Sequence, residues 1–262
     1  MTVTGLRLEV VEGVGQLTFT EAARGNPIDG TLCASLAEIA TQISENRDIR
    51  CVLLAAEGRA FSYGGDVGAF VAGLDSLAHN IKRWTTTLHS AIARFQRMDA
   101  PLVAAVQGVC AGGMTALIAG SDVVLAADDA RFVSAYAGIG FSCDAGSSVM
   151  LSRRMGSARA RRFLILNETL SAPDALAVGL VDEVLTADQL QARAQTVARH
   201  LAAGPTCAFG EIRRLLLSAQ DQPLETQLEL EAQALARIAG TSDARDGLTA
   251  FAQKRKPEFQ GR

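Results

Sequence analysis

The alternation of hydrophobic and polar residues predicts a β-hairpin at the start of the chain. Leu6 to Val11 and Gln16 to Thr20 alternate in the manner of strands, and a turn-rich linker separates them. Asp29 then precedes apolar residues at one-face helical spacing, and the apolar run Cys51 to Ala55 predicts a buried strand. The helical stripe consists of Leu32, Leu36, Ile39 and Ile43. We therefore expect a strand-helix-strand unit after the hairpin.

The same unit is repeated further along the chain. A longer apolar stripe predicts a helix and leads to the strand Leu102 to Val106. Gly112-Gly113 opens another apolar helix, and Val123 to Ala126 predicts the next strand. The longer stripe consists of Leu77, Ile81, Trp84, Leu88, Ile92 and Phe95. Because strands and helices alternate, we expect an α/β fold in which helices cover a sheet.

After about Gly146 the pattern is mostly helical, and only Leu180 to Val184 still resembles a strand. No flexible linker precedes the helical tail, so we expect it to pack on the core or on another subunit. The helical stripes are Ala158 to Leu166, Leu190 to Leu201, Ile212 to Leu217, Leu224 to Leu228 and Leu235 to Ile238.

Composition and charge narrow the function classes. A formal net charge of −3 over 262 residues gives no global field that would attract nucleic acid or an anionic membrane. No apolar run approaches the roughly 20 residues that span a bilayer, and the N-terminus lacks a signal-peptide pattern. We therefore expect a cytoplasmic protein. The five scattered cysteines, without a Cys-x-x-Cys pair, favour reduced and buried thiols, and no residue cluster has metal-ligand spacing.

Two glycine-containing loops follow predicted buried strands. Gly58 to Asp66 contains Gly64-Gly65, which by itself is more typical of a tight turn with Asp66 as a helix cap than of a ligand-binding loop. Gln107 to Met114 opens a helix, whose first N–H groups and positive dipole end favour negative charge. Together the loops predict a binding site at the carboxyl ends of the strands.

Over nearly the whole chain the sequence resembles the crotonase (enoyl-CoA hydratase/isomerase) superfamily. The resemblance implies a spiral of β-β-α units over residues 1–200 and a helical trimerisation region over 201–262, assembled as a trimer or a pair of trimers. It is carried by Arg24 to Asp29, Ala60 to Asp66, Ala105 to Gly113, Ser171 to Val181 and Lys254 to Pro257.

The resemblance also implies a site for an acyl-CoA thioester, without a cofactor beyond the CoA of the substrate. The backbone N–H groups of Tyr63 and Gly113 would form an oxyanion hole for the thioester oxygen, where fixed donors stabilise developing charge. Lys254 belongs to a basic tail that would contact a CoA phosphate, although such a tail is equally typical of a solvated charge run. The remaining residues implied in substrate and CoA binding are Arg24, Asn26, Ala60, Ser62, Gly64, Asp66, Val67, Gly112 and Tyr136.

Two departures from the family pattern favour isomerisation over hydration. Ala116 and Tyr136 stand where hydratases of the family have glutamates, and alkene hydration needs groups that activate water and protonate carbon. Asp144 stands where several isomerase branches have a working aspartate, and one carboxylate suffices to shift a double bond. We therefore expect an acyl-CoA isomerase that moves a double bond from β,γ to α,β or rearranges a related ring-acyl-CoA, similar to the phenylacetate-pathway epoxide isomerases. Without the family context, Asp144 is more typical of a helix cap.

Other functions stay open at this point. In the dehalogenase branch an aspartate attacks an aryl ring, but Ala93 stands at the place expected for that branch's histidine, and His89 lies one turn earlier. A lone helical histidine such as His89 more often lies on the surface. A weak hydratase, a thioester hydrolase, and a non-catalytic CoA-binding or RNA-binding relative are the remaining alternatives. The acyl group is open, since five aromatic residues could shape its pocket: Tyr63, Phe70, Trp84, Tyr136 and Phe141.

Overall fold

The computed structural model describes residues 1–262, which form ten strands and eleven α-helices. The strands are β1 Thr2–Val3, β2 Leu6–Val11, β3 Val14–Phe19, β4 Cys51–Ala56, β5 Leu102–Val106, β6 Val109–Ala111, β7 Val123–Ala127, β8 Arg131–Val133, β9 Thr169–Ser171 and β10 Glu183–Leu185. The helices are α1 Gly30–Glu45, α2 Val67–Ala72, α3 Leu77–Arg97, α4 Gly113–Ala119, α5 Ser147–Met155, α6 Ser157–Ile165, α7 Ala172–Ala177, α8 Ala187–Ala202, α9 Thr206–Ser218, α10 Leu224–Ala239 and α11 Ser242–Ala252.

The larger sheet has seven strands in the order β1-β2-β3-β4-β5-β7-β10. The predicted hairpin is confirmed as β2 and β3, although its turn is only Glu12-Gly13, with φ of 51° and 79°. Two positive φ values are what a two-residue hairpin turn requires, so the second strand begins two residues earlier than the pattern suggested. From β3 onwards the strands are parallel, which brings the carboxyl ends of β4 and β5 to one edge of the sheet.

A second sheet lies beside the first and was not predicted from the sequence. It has three strands in the order β6-β8-β9, and each strand has only three residues, which is too short for alternation to be visible. Two single β-bridges, Ser62 to Cys110 and Ile28 to Gly65, extend this pairing into the loop after β4. The second sheet therefore brings together the two glycine-containing loops.

The apolar stripe of α1 packs entirely into the core, and Asp29 caps this helix by accepting from the Leu32 N–H at 2.9 Å. The stripe of α3 divides into two parts. Leu88, Ile92 and Phe95 are buried, whereas the earlier apolar residues of the helix are only half-buried. The first part of α3 thus forms the wall of a cavity rather than core.

One buried arginine connects the C-terminal helices to the sheet through an ion pair and hydrogen bonds. Arg213 of α9 is 8% exposed, pairs with Asp122 at 2.9 Å, and donates to backbone carbonyls at the end of α3 and just before β5. Such a cation is stable inside a protein only when it is paired and fully hydrogen-bonded. The helical tail is therefore part of the packed structure, as its apolar composition predicted.

The remaining predictions differ in detail from the structure. Leu180 to Val184 was expected to be a strand, but β10 covers only Glu183–Leu185, because the Leu180 and Val181 N–H groups close the turn after α7 by bonding to Ala175. All five cysteines are free, and three are buried while Cys143 and Cys207 are half-buried. None of the helices combines the length with the continuous apolar composition that a membrane-spanning segment requires.

Candidate active site

A largely apolar cavity of about 1050 Å³ opens between α3, the two glycine-containing loops and the segment after β8. Its volume is at the upper end of the range usual for small-molecule sites. Leu77, Ile81 and Trp84 of α3 form one wall. Tyr63, Val67, Gly112, Gly113, Tyr136 and Asp144, six residues of the predicted site, line this cavity.

The loop before α4 presents a backbone N–H to the cavity. Gly112 has φ 57° and ψ −131°, a conformation open to glycine, and its N–H donates to the Val133 carbonyl at 3.0 Å. Gly113 is the first residue of α4, so its N–H has no acceptor within the helix. The predicted donor at Gly113 is therefore positioned to bind an oxygen in the cavity.

The second predicted donor, the N–H of Tyr63, is already engaged. It donates to the Gly25 carbonyl at 2.9 Å, and the tyrosine ring lies directly over Gly25. Gly65, two residues later, lines the same cavity, and no acceptor lies within hydrogen-bonding distance of its N–H. This corrects the prediction for Tyr63.

The backbone pairing explains why Gly65 faces the cavity. The Gly64 carbonyl and the Asp66 N–H both bond to Ile28, at 2.7 and 3.2 Å. In a strand the groups of the residue between two such bonds point the opposite way. The sequence signal for this donor is the pair Gly64-Gly65, and the unpaired N–H lies two residues after Tyr63.

Several predicted binding residues of this loop hold it together instead of lining the cavity. The buried Ser62 hydroxyl donates to the Asn26 carbonyl at 2.7 Å and accepts the Gly64 N–H at 3.0 Å. The Asn26 amide donates to the carbonyls of Glu57, Ala60 and Phe61. These contacts fix the backbone of Gly64 and Gly65, whose N–H directions matter for the site.

The carboxylate of Asp144 lies beside Gly113. A Cβ atom built on Gly113 would be only 3.2 Å from Oδ1 of Asp144, and the Tyr136 hydroxyl donates to the same oxygen at 2.6 Å. The helix-cap alternative for Asp144 does not hold, because Gly146 occupies the N-cap of α5 and no side chain caps that helix. Asp144 is also the only carboxylate that lines the cavity.

The sequence left a surface position and a place in the site both open for His89, and in the structure its side chain is exposed and contributes to the cavity wall. Its Nε2 atom accepts the N–H of Ala145, the residue after Asp144, at 3.0 Å. Ala93, where the dehalogenase comparison placed a histidine, does not line this cavity. The helical spacing of Leu88 and His89 from Trp84 was the signal that could have placed His89 on the cavity side of α3.

Cys33 of α1 is buried at the base of the cavity. Burial raises the pKa of its thiol to about 12, and the negative charges of Asp29 and Asp144 act in the same direction. Tyr136 likewise has a raised pKa, mainly through burial and then through the charge of Asp144. Both side chains are therefore protonated at neutral pH, and neither is a base.

The charged residues implied in CoA binding lie outside the cavity lining. Arg24 pairs with Glu21 at 2.6 Å, Asp29 at 2.9 Å and Asp66 at 2.6 Å, and these bonds raise its pKa. Asp66 also caps α2 by accepting the Ala69 N–H at 2.9 Å. The exposed Lys254 follows α11.

Three aromatic rings from different elements meet in the cavity. Phe70 stacks with Trp84, with ring centroids 6.2 Å apart, and lies 5.7 Å from Phe141. A surface of this kind favours flat apolar groups, since aromatic rings attract each other beyond the effect of buried area alone. The cavity therefore combines an apolar, ring-lined part with one carboxylate and two backbone donors.

The comparison with known proteins agrees with this geometry. The sequence profile of the family described as enoyl-CoA hydratase/isomerase matches residues 9–262. The chain belongs to the enoyl-CoA hydratase/isomerase (crotonase) family. It is 36% identical over 258 residues to the 1,2-epoxyphenylacetyl-CoA isomerase of Escherichia coli (strain K12), with 97% of each chain covered.

One further relative and one solved structure are also similar to this chain. The 4-chlorobenzoyl coenzyme A dehalogenase-1 of an Arthrobacter species is 28% identical over 250 residues, covering 95% of this chain and 91% of that protein. The crystal structure of a putative enoyl-CoA hydratase/isomerase from Mycobacterium abscessus superposes with a TM-score of 0.92 at 32% identity, covering 98% of this chain and all of that one. The chain is thus a crotonase-fold enzyme of acyl-CoA isomerase or hydratase type.

Proposed function

We propose that this crotonase-family enzyme is an acyl-CoA isomerase that moves a double bond from the β,γ to the α,β position. The observation that carries the proposal is the position of Asp144, the only cavity carboxylate, beside the N–H of Gly113. Rearrangement of a related ring-acyl-CoA uses the same groups. The 36% identity to an epoxyphenylacetyl-CoA isomerase supports this reaction class.

The proposed reaction begins when the thioester oxygen accepts from the N–H groups of Gly113 and Gly65. Asp144 removes a proton from the α-carbon, and the electron pair of that C–H bond forms a dienolate whose charge lies on the thioester oxygen. Asp144 then returns the proton to the γ-carbon, which leaves the double bond conjugated. One donor of this kind is worth about 3 kcal/mol in the transition state. The cycle is redox-neutral and uses no cofactor beyond the CoA of the substrate.

The residues at the two places where hydratases of the family have glutamates support isomerisation. Ala116 is fully buried one turn into α4, and it cannot transfer a proton. Tyr136 is held protonated as a donor to Asp144, so it does not activate water. Asp144 is thus left to act alone, which suits a shift of one proton between two carbons.

Two spectrophotometric assays distinguish isomerase from hydratase. With a 3-enoyl-CoA the isomerase produces conjugated enoyl absorbance, whereas with crotonyl-CoA a hydratase consumes it. We expect turnover of the 3-enoyl-CoA at least a hundredfold faster than hydration of crotonyl-CoA, because general acid-base groups contribute about 10² to 10⁴ in rate. Faster hydration than isomerisation would overturn the proposal.

Nucleophilic attack by Asp144 on an aryl ring is the second candidate. It is supported by His89 in the cavity wall, by the three aromatic rings, and by the 28% identity to a chlorobenzoyl-CoA dehalogenase. Release of chloride from 4-chlorobenzoyl-CoA tests it directly. Chloride release without isomerisation would replace the first proposal by this one.

We further propose a homotrimer, or a pair of trimers, with residues 201–262 at the contacts. Large apolar side chains of α10 and α11 are exposed in the single chain, including Leu235 at 71%, Leu248 at 72% and Phe251 at 86%. We propose that these side chains of two helices in contact form one patch, since a large exposed apolar patch usually marks an interface. Light scattering should give three or six chains, and Leu235→Asp should lower that number. A monomeric wild-type enzyme would contradict the proposal.

We expect CoA to be bound by residues that lie outside the apolar cavity. In the proposed trimer, Lys254 of a neighbouring copy contacts a CoA phosphate, while the loop held by Arg24 and Asp66 borders the CoA moiety. Lys254→Ala should raise KM several-fold with little change in kcat, because the contact is equally strong in ground and transition states. An unchanged KM would remove Lys254 from the site.

A further inference from the structure

Tyr136 takes a position where other members of the family have an acid-base glutamate, yet its side chain is not free to act alone. Its hydroxyl donates to Oδ1 of Asp144 at 2.6 Å, which is the length of a strong bond to a charged acceptor. Ser147, which is buried, lies 3.2 Å from the same hydroxyl. Because the phenol proton is given to the carboxylate, the serine hydroxyl must be the donor to Tyr136.

The backbone of Tyr136 is fixed as firmly as its hydroxyl. The Tyr136 N–H donates to Oδ1 of Asn167 at 3.2 Å, and its carbonyl accepts the N–H groups of Ile139 and Phe141, both at 3.1 Å. The Tyr136 ring therefore extends from a backbone segment that is held by hydrogen bonds to the carboxylate of Asp144. A donor held at both ends restricts the direction in which Asp144 points.

The two oxygens of Asp144 have different surroundings. Oδ1 accepts from Tyr136 and lies 3.2 Å from the position that a Gly113 Cβ would take. No protein donor contacts Oδ2. Since an oxygen that accepts a strong bond is the weaker base, the free Oδ2 is the better proton acceptor.

We propose that Tyr136 is a positioning residue, which holds Oδ1 of Asp144 through a Ser147-Tyr136-Asp144 chain and thereby assigns proton transfer to Oδ2. This inference rests on the proposed isomerase function. In that reaction Oδ2 takes the α-proton and returns it to the γ-carbon, while Tyr136 keeps its own proton throughout. With tyrosine in place of a glutamate at position 136, Asp144 is the single base of the site, and Tyr136 fixes its orientation.

The existence of the bond is tested first without any substrate. Tyr136→Phe, Asp144→Ala and the double variant form a cycle of unfolding equilibria, measured at one protein concentration. We expect the two changes to be coupled by roughly tenfold in the unfolding constant, as is usual for hydrogen bonds to charged groups. Additive effects would overturn the proposal. This result does not depend on whether the enzyme isomerises enoyl-CoA.

The role of the bond is tested by the kinetics of Tyr136→Phe on a 3-enoyl-CoA. We expect kcat to fall about tenfold with KM changed less than twofold, because orientation matters in the transition state. Ser147→Ala, which removes only the outer donor, should lower kcat in the same way but by less.

Other titratable groups near Asp144 are unchanged in these variants. They are His89 of α3, whose Nε2 accepts the Ala145 N–H, Cys33 of α1, whose pKa is raised in part by Asp144, and the neighbouring Cys143. A role of Tyr136 in packing alone would disturb substrate binding as much as turnover. An unchanged kcat in Tyr136→Phe, or a KM raised as much as kcat falls, would therefore contradict the proposal, and a wild-type enzyme inactive on enoyl thioesters would instead defeat the isomerase assignment.

Discussion

The N–H of Ala145 donates to Nε2 of His89 at 3.0 Å, and this contact joins α3 to the residue after Asp144. Ala145 is fully buried and has φ 53°, a left-handed conformation that costs a residue with a Cβ about 1 to 2 kcal/mol. The bond also identifies the tautomer, because a nitrogen that accepts an N–H carries no proton. His89 therefore helps to hold the backbone turn that aims Asp144.

Replacement of His89 should loosen this turn. His89→Ala leaves a buried N–H without an acceptor, so we expect a loss of about 1 to 3 kcal/mol in unfolding free energy and a lower kcat. His89→Gln offers an amide oxygen as acceptor, so this variant should retain more of the unfolding free energy and of kcat. The matched control is His79→Ala on the exposed face of the same helix, where the side chain makes no hydrogen bond. Equal stability of the His89→Ala and His79→Ala variants, measured by chemical denaturation, would count against the role of His89.

The space between Gly113 and Asp144 is too tight to take an added atom without a shift of its neighbours. A Cβ in Gly113→Ala would lie 3.2 Å from the Asp144 carboxylate, from Ala145 and from Ile28. We expect kcat to fall by about 10², because the N–H and the carboxylate both lose their alignment. Gly240→Ala is the control, since its Cβ meets only the Arg237 carbonyl at 3.4 Å. The measurement is the steady-state kcat of both folded variants. A fall in kcat of twofold or less for Gly113→Ala would refute this account of the site.

The aromatic part of the cavity should select flat acyl groups. Phe141→Leu removes the ring that lies 5.7 Å from Phe70, and such contacts are worth about 0.5 to 1.5 kcal/mol. We expect kcat/KM for a ring-acyl-CoA to fall roughly two- to tenfold more than for a linear enoyl-CoA of similar size. The same loss for both substrates would show that Phe141 contributes only apolar area.

The buried thiols should be unreactive in the folded enzyme. Burial raises the pKa of Cys33, Cys51 and Cys110 to about 12 in each case, so at pH 8 only about one thiol in 10⁴ is ionised. Thiolate forms only as the pH rises towards that value. Mass spectrometry after iodoacetamide treatment at pH 8 should find these three unmodified until denaturant is added. Modification of any of them in the native enzyme would contradict their placement in the core.

Much of the fold could be predicted because periodicity reports which residues avoid water. The stripes of α1 and α3 were both visible, but periodicity does not distinguish a core from a cavity wall. Trp84 thus lines the cavity, while Phe95 on the same stripe is buried. The short strands β6, β8 and β9 have three residues each, too few to show a pattern.

The site was partly predictable for a similar reason. Gly113 and Asp144, which both line the cavity, could be proposed from the sequence because the resemblance fixes their places in the chain. The choice between Tyr63 and Gly65 depends on which backbone N–H is left unpaired, and that follows from pairing with Gly25 and Ile28, distant in sequence. The contact of His89 with Ala145 likewise joins residues 56 positions apart.

The most direct test of the account compares Asp144→Asn with the wild-type enzyme in the conversion of a 3-enoyl-CoA to its conjugated isomer. Asparagine keeps the shape of the side chain but cannot accept the α-proton, so the account predicts a kcat lower by about 10² to 10⁴ with CoA-thioester binding retained. Conversion by Asp144→Asn at the wild-type rate would contradict the assignment of Asp144 as the proton carrier.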